Sequence, residues 1–531
     1  MRSAPSEALR LALSRMRWAD ALSSPAVLWI LSALLAISNV GDYEAAALAI
    51  AVLGGVAVAL AAVLELESPS TCAIRSLETP ALSVSGSGIR FVPTWLNRLH
   101  VWVVANELWL LIAAAPLFLF PRPVFTLVFI LLPVLWLLRW RLRGHLTPHT
   151  PVDWPIVFLL AMLSVSILVS ADVKTSLPKL AGLLFGIGTF YAIVNWAHSE
   201  KRIAWVVLGL IGLGIGVGLV GLVGTKWITT GKIIPARVYA LLPRAIIQVP
   251  GTVQGWIHPN EVGGSLAFIV PFLVVLTLAR WNAPVGMVTG RASRILAFLT
   301  RRGLLIPLAF TVLIFALTQS RSALFGVAIS LLAFVLVRWR RLGAILVVAT
   351  VVLLVIGIVR SPGTLQDAIA GEKSDSAVGT LDFAGREEVW SRALYAIQDV
   401  PYTGVGLNMF VPVSRALYPY FLTSPDFVLG HAHEIYLQVA VDLGIPGLVA
   451  YIALLTGFAY LVSKVYVTSA SSQSRTLALG LGLGMLAHQI FGLTDAVTLG
   501  AKPGIILWVM LALVAVLWQQ ERATVRLPQP P

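Results

Sequence analysis

The chain has 531 residues, of which 58% are hydrophobic and only 12% charged, with a formal net charge of +14. A soluble domain carries about 25% charged residues, so the composition excludes a soluble enzyme. Apolar runs of about 17 to 22 residues exclude a β-barrel of short alternating segments. The positive residues sit in short loops between these runs, where orientation in a bilayer accounts for them and no nucleic-acid partner is needed.

The N-terminal stretch MRSAPSEALRLALSRMRW is basic, and no short apolar region with a cleavage site follows it. Residues 1–23 are therefore expected to be a cytoplasmic leader, not a signal peptide. Apolar runs then predict spans at 24–40, 44–64, 100–120, 124–138, 154–170, 176–197 and 203–223. Further spans are expected at 262–279, 303–319, 322–337, 342–359, 433–463, 474–494 and 501–519. The expected fold class is all-α, a polytopic membrane protein with about fourteen transmembrane helices.

With the N-terminus inside, the dense basic clusters fall inside as well. They are Arg139, Arg141 and Arg143; Lys201 and Arg202; Arg301 and Arg302; Arg338, Arg340 and Arg341; and Arg522 and Arg526 in the tail. Residues 24–98 are two N-terminal spans and a linker, and 99–359 a transmembrane core. A large outer loop with short helices covers 360–432, followed by C-terminal helices over 433–519 and a cytoplasmic tail over 520–531. The same parity places 224–261, 318–322 and 495–502 outside. Glycine-rich stretches at 209–224 and 480–492 point to close helix packing, because no strand precedes them as a nucleotide loop requires. The lone Cys72 provides neither a disulfide framework nor a cysteine metal site. No internal repeat is visible, which counts against a secondary transporter.

Four segments carry residues suited to chemistry. His431 and His433 lie at the mouth of the span after the large loop, with Glu434, Tyr436 and Gln438 following. A neutral imidazole there can take a proton from a hydroxyl nucleophile. The plainer alternatives are a helix cap, or a zinc site for which two histidines and a glutamate without cysteine are a weak ligand set. Arg321, in LTQSRSALFG, sits between two apolar runs with almost no loop. Its guanidinium either clamps an anion such as a diphosphate or snorkels to headgroups. Arg237 and Arg244 precede His258-Pro259-Asn260, where Asn260 reads as a helix N-cap. In GREEVWSRALYAIQD the spacing predicts an amphipathic helix, on which Arg386 either binds the anion or pairs with Glu387 or Asp382. Trp390, Tyr395, Phe410, Tyr418, Tyr420 and Phe421 offer a small core for the loop.

These segments together resemble the O-antigen ligase and O-antigen polymerase family of bacterial envelope glycosyltransferases. The matching residues are Ser320-Arg321, Gly385-Arg386 with Trp390, and Pro401 with Gly404-Val405-Gly406 and Phe410. They continue through His431-Ala432-His433-Glu434, Tyr436-Leu437-Gln438 and Gly444-Ile445-Pro446-Gly447, with Pro259-Asn260 upstream. The resemblance implies a core of about twelve spans, leaving about two extra at the N-terminus. It implies inverting transfer of a glycan from an undecaprenyl-diphosphate carrier, without metal or other cofactor, on the outer face of the inner membrane. The acceptor hydroxyl would belong to lipid A–core, a growing glycan or a protein. His433 would be the base, with His431 and Glu434 beside it, and Arg321, Arg244, Arg237 and Arg386 would hold the diphosphate. Asn260, Tyr436 and Gln438 would support the site. Glu434 departs from the family pattern, which usually has asparagine there. A polymerase or a protein O-oligosaccharyltransferase remains within the same family, and a small-anion, bicarbonate-like transporter is the alternative from another class.

Overall fold

The computed structural model describes residues 94–121, 123–227, 247, 255–281, 303–360, 383–423 and 429–526. Arg237, Arg244 and the expected spans at 24–40 and 44–64 lie outside the described residues. The described residues are mostly helical and form no strand, apart from one backbone bridge between Thr225 and Ile257. The chain divides into two compact units after Pro148.

In the first unit the expected span 100–120 is broken. Helix α1 (Thr94–Ala105) and α2 (Glu107–Leu119) meet at a 70° bend. The break falls at Asn106, whose side chain donates to the Trp102 carbonyl at 2.9 Å. The expected span 124–138 instead begins as 3-10 turns (Pro123–Ile130) and becomes α-helical only in α3 (Leu131–Arg143). Pro121, Pro123 and Pro133 withhold the amides a regular helix needs there. A buried ion pair joins Arg139 to Glu107, and Arg139 also donates to the Leu146 carbonyl at 2.8 Å.

The second unit is a helical bundle. Its long helices are α4 (Asp153–Val169), α5 (Val173–Trp196), α6 (Glu200–Gly224) and α7 (Pro259–Trp281). They continue as α8 (Leu305–Leu317), α9 (Arg321–Arg338) and α10 (Arg340–Arg360). Two short helices, α11 (Phe383–Asp399) and α12 (Phe410–Leu417), follow in the large loop. The chain closes with α13 (Ile435–Thr468), α14 (Ser472–Phe491) and α15 (Ile505–Arg526). Six helices among the described residues are long and apolar enough to cross a bilayer, or seven if the bent pair is one span. The protein is an all-α membrane protein.

Its core joins α7, α8, α9 and α14 through Val262, Leu266, Ile314, Ala323 and Phe491. Glycines bring these helices close, as both glycine-rich stretches suggested. Gly214 faces Ile269, Gly221 faces Val262, and Gly484 lies against the Phe268 carbonyl. The starts of α7, α9 and α13 and the end of α14 share one end of this unit: Gly263 faces Ser320, Gly264 faces Phe491, and Ile435 N donates to Gly492 O at 2.8 Å. At the opposite end Ser469 bonds Glu521, while Gln519 reaches the His149 carbonyl and Gln520 that of His198.

Helix α13 starts at Ile435, two residues later than the span expected from 433. It is kinked at Gly444, whose φ of 73° is left-handed. The predicted loop helix is present as α11, and the loop core forms from Val389, Ala393, Phe410, Leu429, Ala432 and Val441, with Tyr420 packed against it. Tyr395 and Phe421 do not join this core. They are 49% and 81% exposed; for Tyr395 this is because the inward positions of α11 are taken by Val389 and Ala393.

Candidate active site

An acid that the sequence reading passed over is the centre of the polar end of the second unit. Asp495, 2% exposed, lies in the turn between α14 and α15. One carboxylate oxygen lies 3.3 Å from His433 Nδ1 and 3.7 Å from His431 Nε2. The other accepts the Asn260 side-chain amide at 2.6 Å and lies 3.8 Å from the Arg386 guanidinium. Arg386 also donates to the Thr494 carbonyl at 2.9 Å, so it holds both the acid and its backbone. Burial by itself would raise the Asp495 pKa. The His433 imidazole 3.3 Å away, then His431 and the Arg386 guanidinium, outweigh that and hold it far below the usual carboxylate range. Asp495 is an anion.

Each partner is brought in by local structure. His258, not Asn260, is the residue that caps α7: its Nδ1 accepts the Asn260 amide at 3.2 Å, and its carbonyl accepts from Glu261 at 3.0 Å. Asn260 sits one residue into the first turn and its side chain is spent on Asp495. The sequence reading of Asn260 as N-cap is corrected accordingly. Glu434 is the cap of α13, accepting the amides of Tyr436 at 3.1 Å and Leu437 at 2.5 Å. That carboxylate is committed to the backbone, although burial raises its pKa against those bonds. Gln438 accepts the Ala432 amide at 2.7 Å and shapes the turn carrying both histidines. Tyr436 and Tyr451 both donate to Gln489, at 3.1 and 3.2 Å, away from the acid. Trp390, on α11, donates to the His433 carbonyl at 3.3 Å. This holds His433 at a φ of 52°, a left-handed conformation that a residue with a Cβ adopts only at a cost.

Charge and hydrogen bonding set the tautomers. The Asp495 anion, 3.3 Å from Nδ1, favours the His433 proton on that nitrogen and leaves a lone pair on Nε2. His431 Nδ1 accepts the His433 amide at 3.1 Å, so its proton is on Nε2, also toward Asp495. Burial first, and then the neighbouring His433, lower the His431 pKa to about 3 and keep it neutral. His431, His433 and Asp495 have ligand atoms within 4.8 Å of one another, the outline of a metal site. The tautomers disfavour that use: with His431 Nδ1 already accepting, coordination through Nε2 would require loss of the His433 amide bond or an imidazolate.

Arg321 opens α9 directly after Ser320, whose hydroxyl accepts the Ala323 amide at 3.5 Å. Its side chain is exposed and, among the described residues, it makes no bond to the His–Asp group. It does share that end of the bundle, because Ser320 packs on Gly263 of α7. A family model described as O-antigen ligase matches residues 304–452. Residues 304–452 thus match the O-antigen ligase family. They include Arg321, Arg386, Trp390 and both site histidines, whereas Asn260 and Asp495 reach the same site from outside the matched stretch. At the level of the family, the match over residues 304–452 is consistent with a membrane glycan ligase or polymerase type of enzyme, and gives no support to anion transport. A search of curated proteins gives no significant match.

The signal for Asp495 was present in FGLTDAVTLGAKPG. An isolated acid beside an apolar helix is expensive and marks a site by default. The basic residues and histidines drew the reading instead.

Proposed function

We propose that the protein transfers a glycan from an undecaprenyl-diphosphate carrier to an acceptor hydroxyl, with inversion and without a metal. The observation that carries this reading is the His433–Asp495 pair, in which a buried anion faces Nδ1 and leaves Nε2 as a base. The acceptor O–H gives its proton to Nε2 as its oxygen bonds the anomeric carbon. The bond from that carbon to the diphosphate oxygen breaks, and the carrier diphosphate leaves with the electron pair. Asp495 is a positioning residue here: it holds the tautomer and stabilises the imidazolium as it forms. Arg321, exposed at the same end of the bundle, neutralises the diphosphate, and Arg237 and Arg244 are proposed to join it. Arg386 serves mainly by holding Asp495 and Thr494.

The site faces the exterior of the bacterial inner membrane in this reading, with both termini cytoplasmic. Supporting it, the opposite end of the second unit holds Arg202, bonded to the Trp196 carbonyl, and Arg522, stacked on Trp518. Lipid A–core is the first acceptor to test, followed by glycan and protein hydroxyls. The experiment is transfer of a radiolabelled glycan from undecaprenyl diphosphate by purified protein with EDTA present. Wild type, His433→Ala and Arg321→Ala are compared at matched expression. Metal-free transfer lost in both variants is expected. Absence of transfer by wild type to all three acceptor classes would overturn the proposal.

A further inference from the structure

Helix α11 carries Arg386 and Trp390 near its N-terminus, both bonded to the site. Its C-terminus runs into the turn Pro401–Thr403, and the backbone of that turn is fastened to the kink of α13. Ile445 N donates to Pro401 O at 2.7 Å, and Val405 N donates to Val441 O at 2.8 Å. A Cβ on Gly444 would meet the Tyr402 carbonyl oxygen at 2.5 Å, so the contact is as close as glycine allows. Just beyond the turn, Asn408 donates from its backbone to Asp442 at 3.1 Å and from its side chain to Thr175 O at 2.8 Å. A backbone held this firmly leaves the Tyr402 side chain 75% exposed.

What surrounds that side chain follows from α13. Ile445, Val449 and Ile452 form a stripe at helical spacing and are 44%, 52% and 46% exposed. In a helix of the membrane-spanning set such a stripe faces lipid. It begins at Ile445, the residue bonded to the turn. From there to Thr468 the helix runs about 36 Å at 1.5 Å per residue, enough to cross a hydrocarbon core of about 30 Å. The segment Ile435–Leu443 is then surplus to the span and stands above it. On the neighbouring α4, Leu168 is 85% exposed, two residues before Ser170, against which Gly406 packs. Tyr402 therefore stands at the upper edge of a continuous lipid-facing surface, with an apolar ring and a polar tip suited to the interface.

We infer that the turn Pro401–Thr403 is a lipid anchor, with Tyr402 inserted at the headgroup level of the leaflet on the site's side of the membrane. The anchor fixes the height of α11, and through Arg386 and Trp390 the placement of the His433 loop. It rests on the membrane-spanning reading of α13 and is independent of the transfer chemistry.

The test uses full-length protein in lipid nanodiscs, with Cys72→Ser removing the native thiol. Nitroxide labels are attached at Tyr402→Cys, at Ile452→Cys as a lipid reference, and at Glu387→Cys as an aqueous reference. Collision rates with oxygen and with a water-soluble nickel chelate are compared. An oxygen-to-nickel ratio at Tyr402 several-fold above that at Glu387, approaching Ile452, is expected. A ratio equal to that at Glu387 overturns the anchor. Because labelling removes the tyrosine ring, Tyr402→Trp and Tyr402→Asp are also compared by limited proteolysis after α11 in the same nanodiscs. Protection equal to wild type for Trp and cleavage several-fold faster for Asp is expected, and equal protection in both overturns the anchor.

Discussion

Replacing Asp495 with asparagine keeps the shape of the side chain and removes its charge, which isolates the electrostatic contribution to His433. An imidazolium 3.3 Å from the carboxylate is stabilised by about 5 kcal/mol at an effective dielectric constant of about 20. Arg386, 3.8 Å from the same carboxylate, already draws on that anion, and in the variant its charge is left opposing the imidazolium. Screening and relaxation reduce the net loss to about 3 kcal/mol, on the order of a hundredfold in rate at 1.4 kcal/mol per tenfold. A wrong tautomer of His433 adds to this if the asparagine amide turns its N–H toward Nδ1. The assay is metal-free transfer in nanodiscs, with kcat and donor KM determined separately. The hundredfold loss should fall on kcat and leave KM within about threefold, because Asp495 reaches the donor only through His433. The variant should also unfold about 1 to 3 kcal/mol more easily, since the Asn260 and Arg386 contacts lose their anion. A variant that unfolds so yet transfers within twofold of the wild-type kcat would refute the positioning role of Asp495.

Two further outcomes follow from the same geometry. Glu434→Asn should retain transfer within about twofold and full stability, while Glu434→Ala should lose about 1 kcal/mol on unfolding and keep its chemistry, because this side chain caps α13 and asparagine caps equally well; a hundredfold loss in the asparagine variant would return Glu434 to the list of bases. His431 has a folded pKa of about 3 against an ordinary 6.5, so below 6.5 the unfolded chain binds a proton that the native state refuses. Its contribution to stability is complete above 6.5 and declines on acidification toward 3, by at most about 1.4 kcal/mol per pH unit. With His431 22% exposed, about half that slope is expected, and thermal unfolding from pH 7 to 5 should flatten in His431→Asn.

The bland appearance of Asp495 in the sequence has a physical explanation. Charge clusters and histidine pairs stand out along a chain, but a lone acid acquires its role only from neighbours tens to hundreds of positions away. Asn260 lies 235 residues upstream of it. The same distance effect misassigned Asn260, whose short polar side chain suits an N-cap locally and is diverted by a buried anion. Glu434 shows the reverse case. It reads as a second acid beside a histidine, yet the open amides of α13 claim its carboxylate.

The sequence by itself determined the class of the protein, the path of most second-unit helices and the motifs that gather at one end of the bundle. Apolar run length, loop charge and the order of the Arg321, Arg386 and His431–His433 motifs are local properties, readable without coordinates. Only the tertiary structure decided which atoms meet: that Asp495 joins both histidines, that α2 breaks from α1, that α13 kinks at Gly444 and holds the turn after α11. These depend on close approach between segments far apart in the chain, where burial makes each polar group find a partner or remain unpaired at a cost.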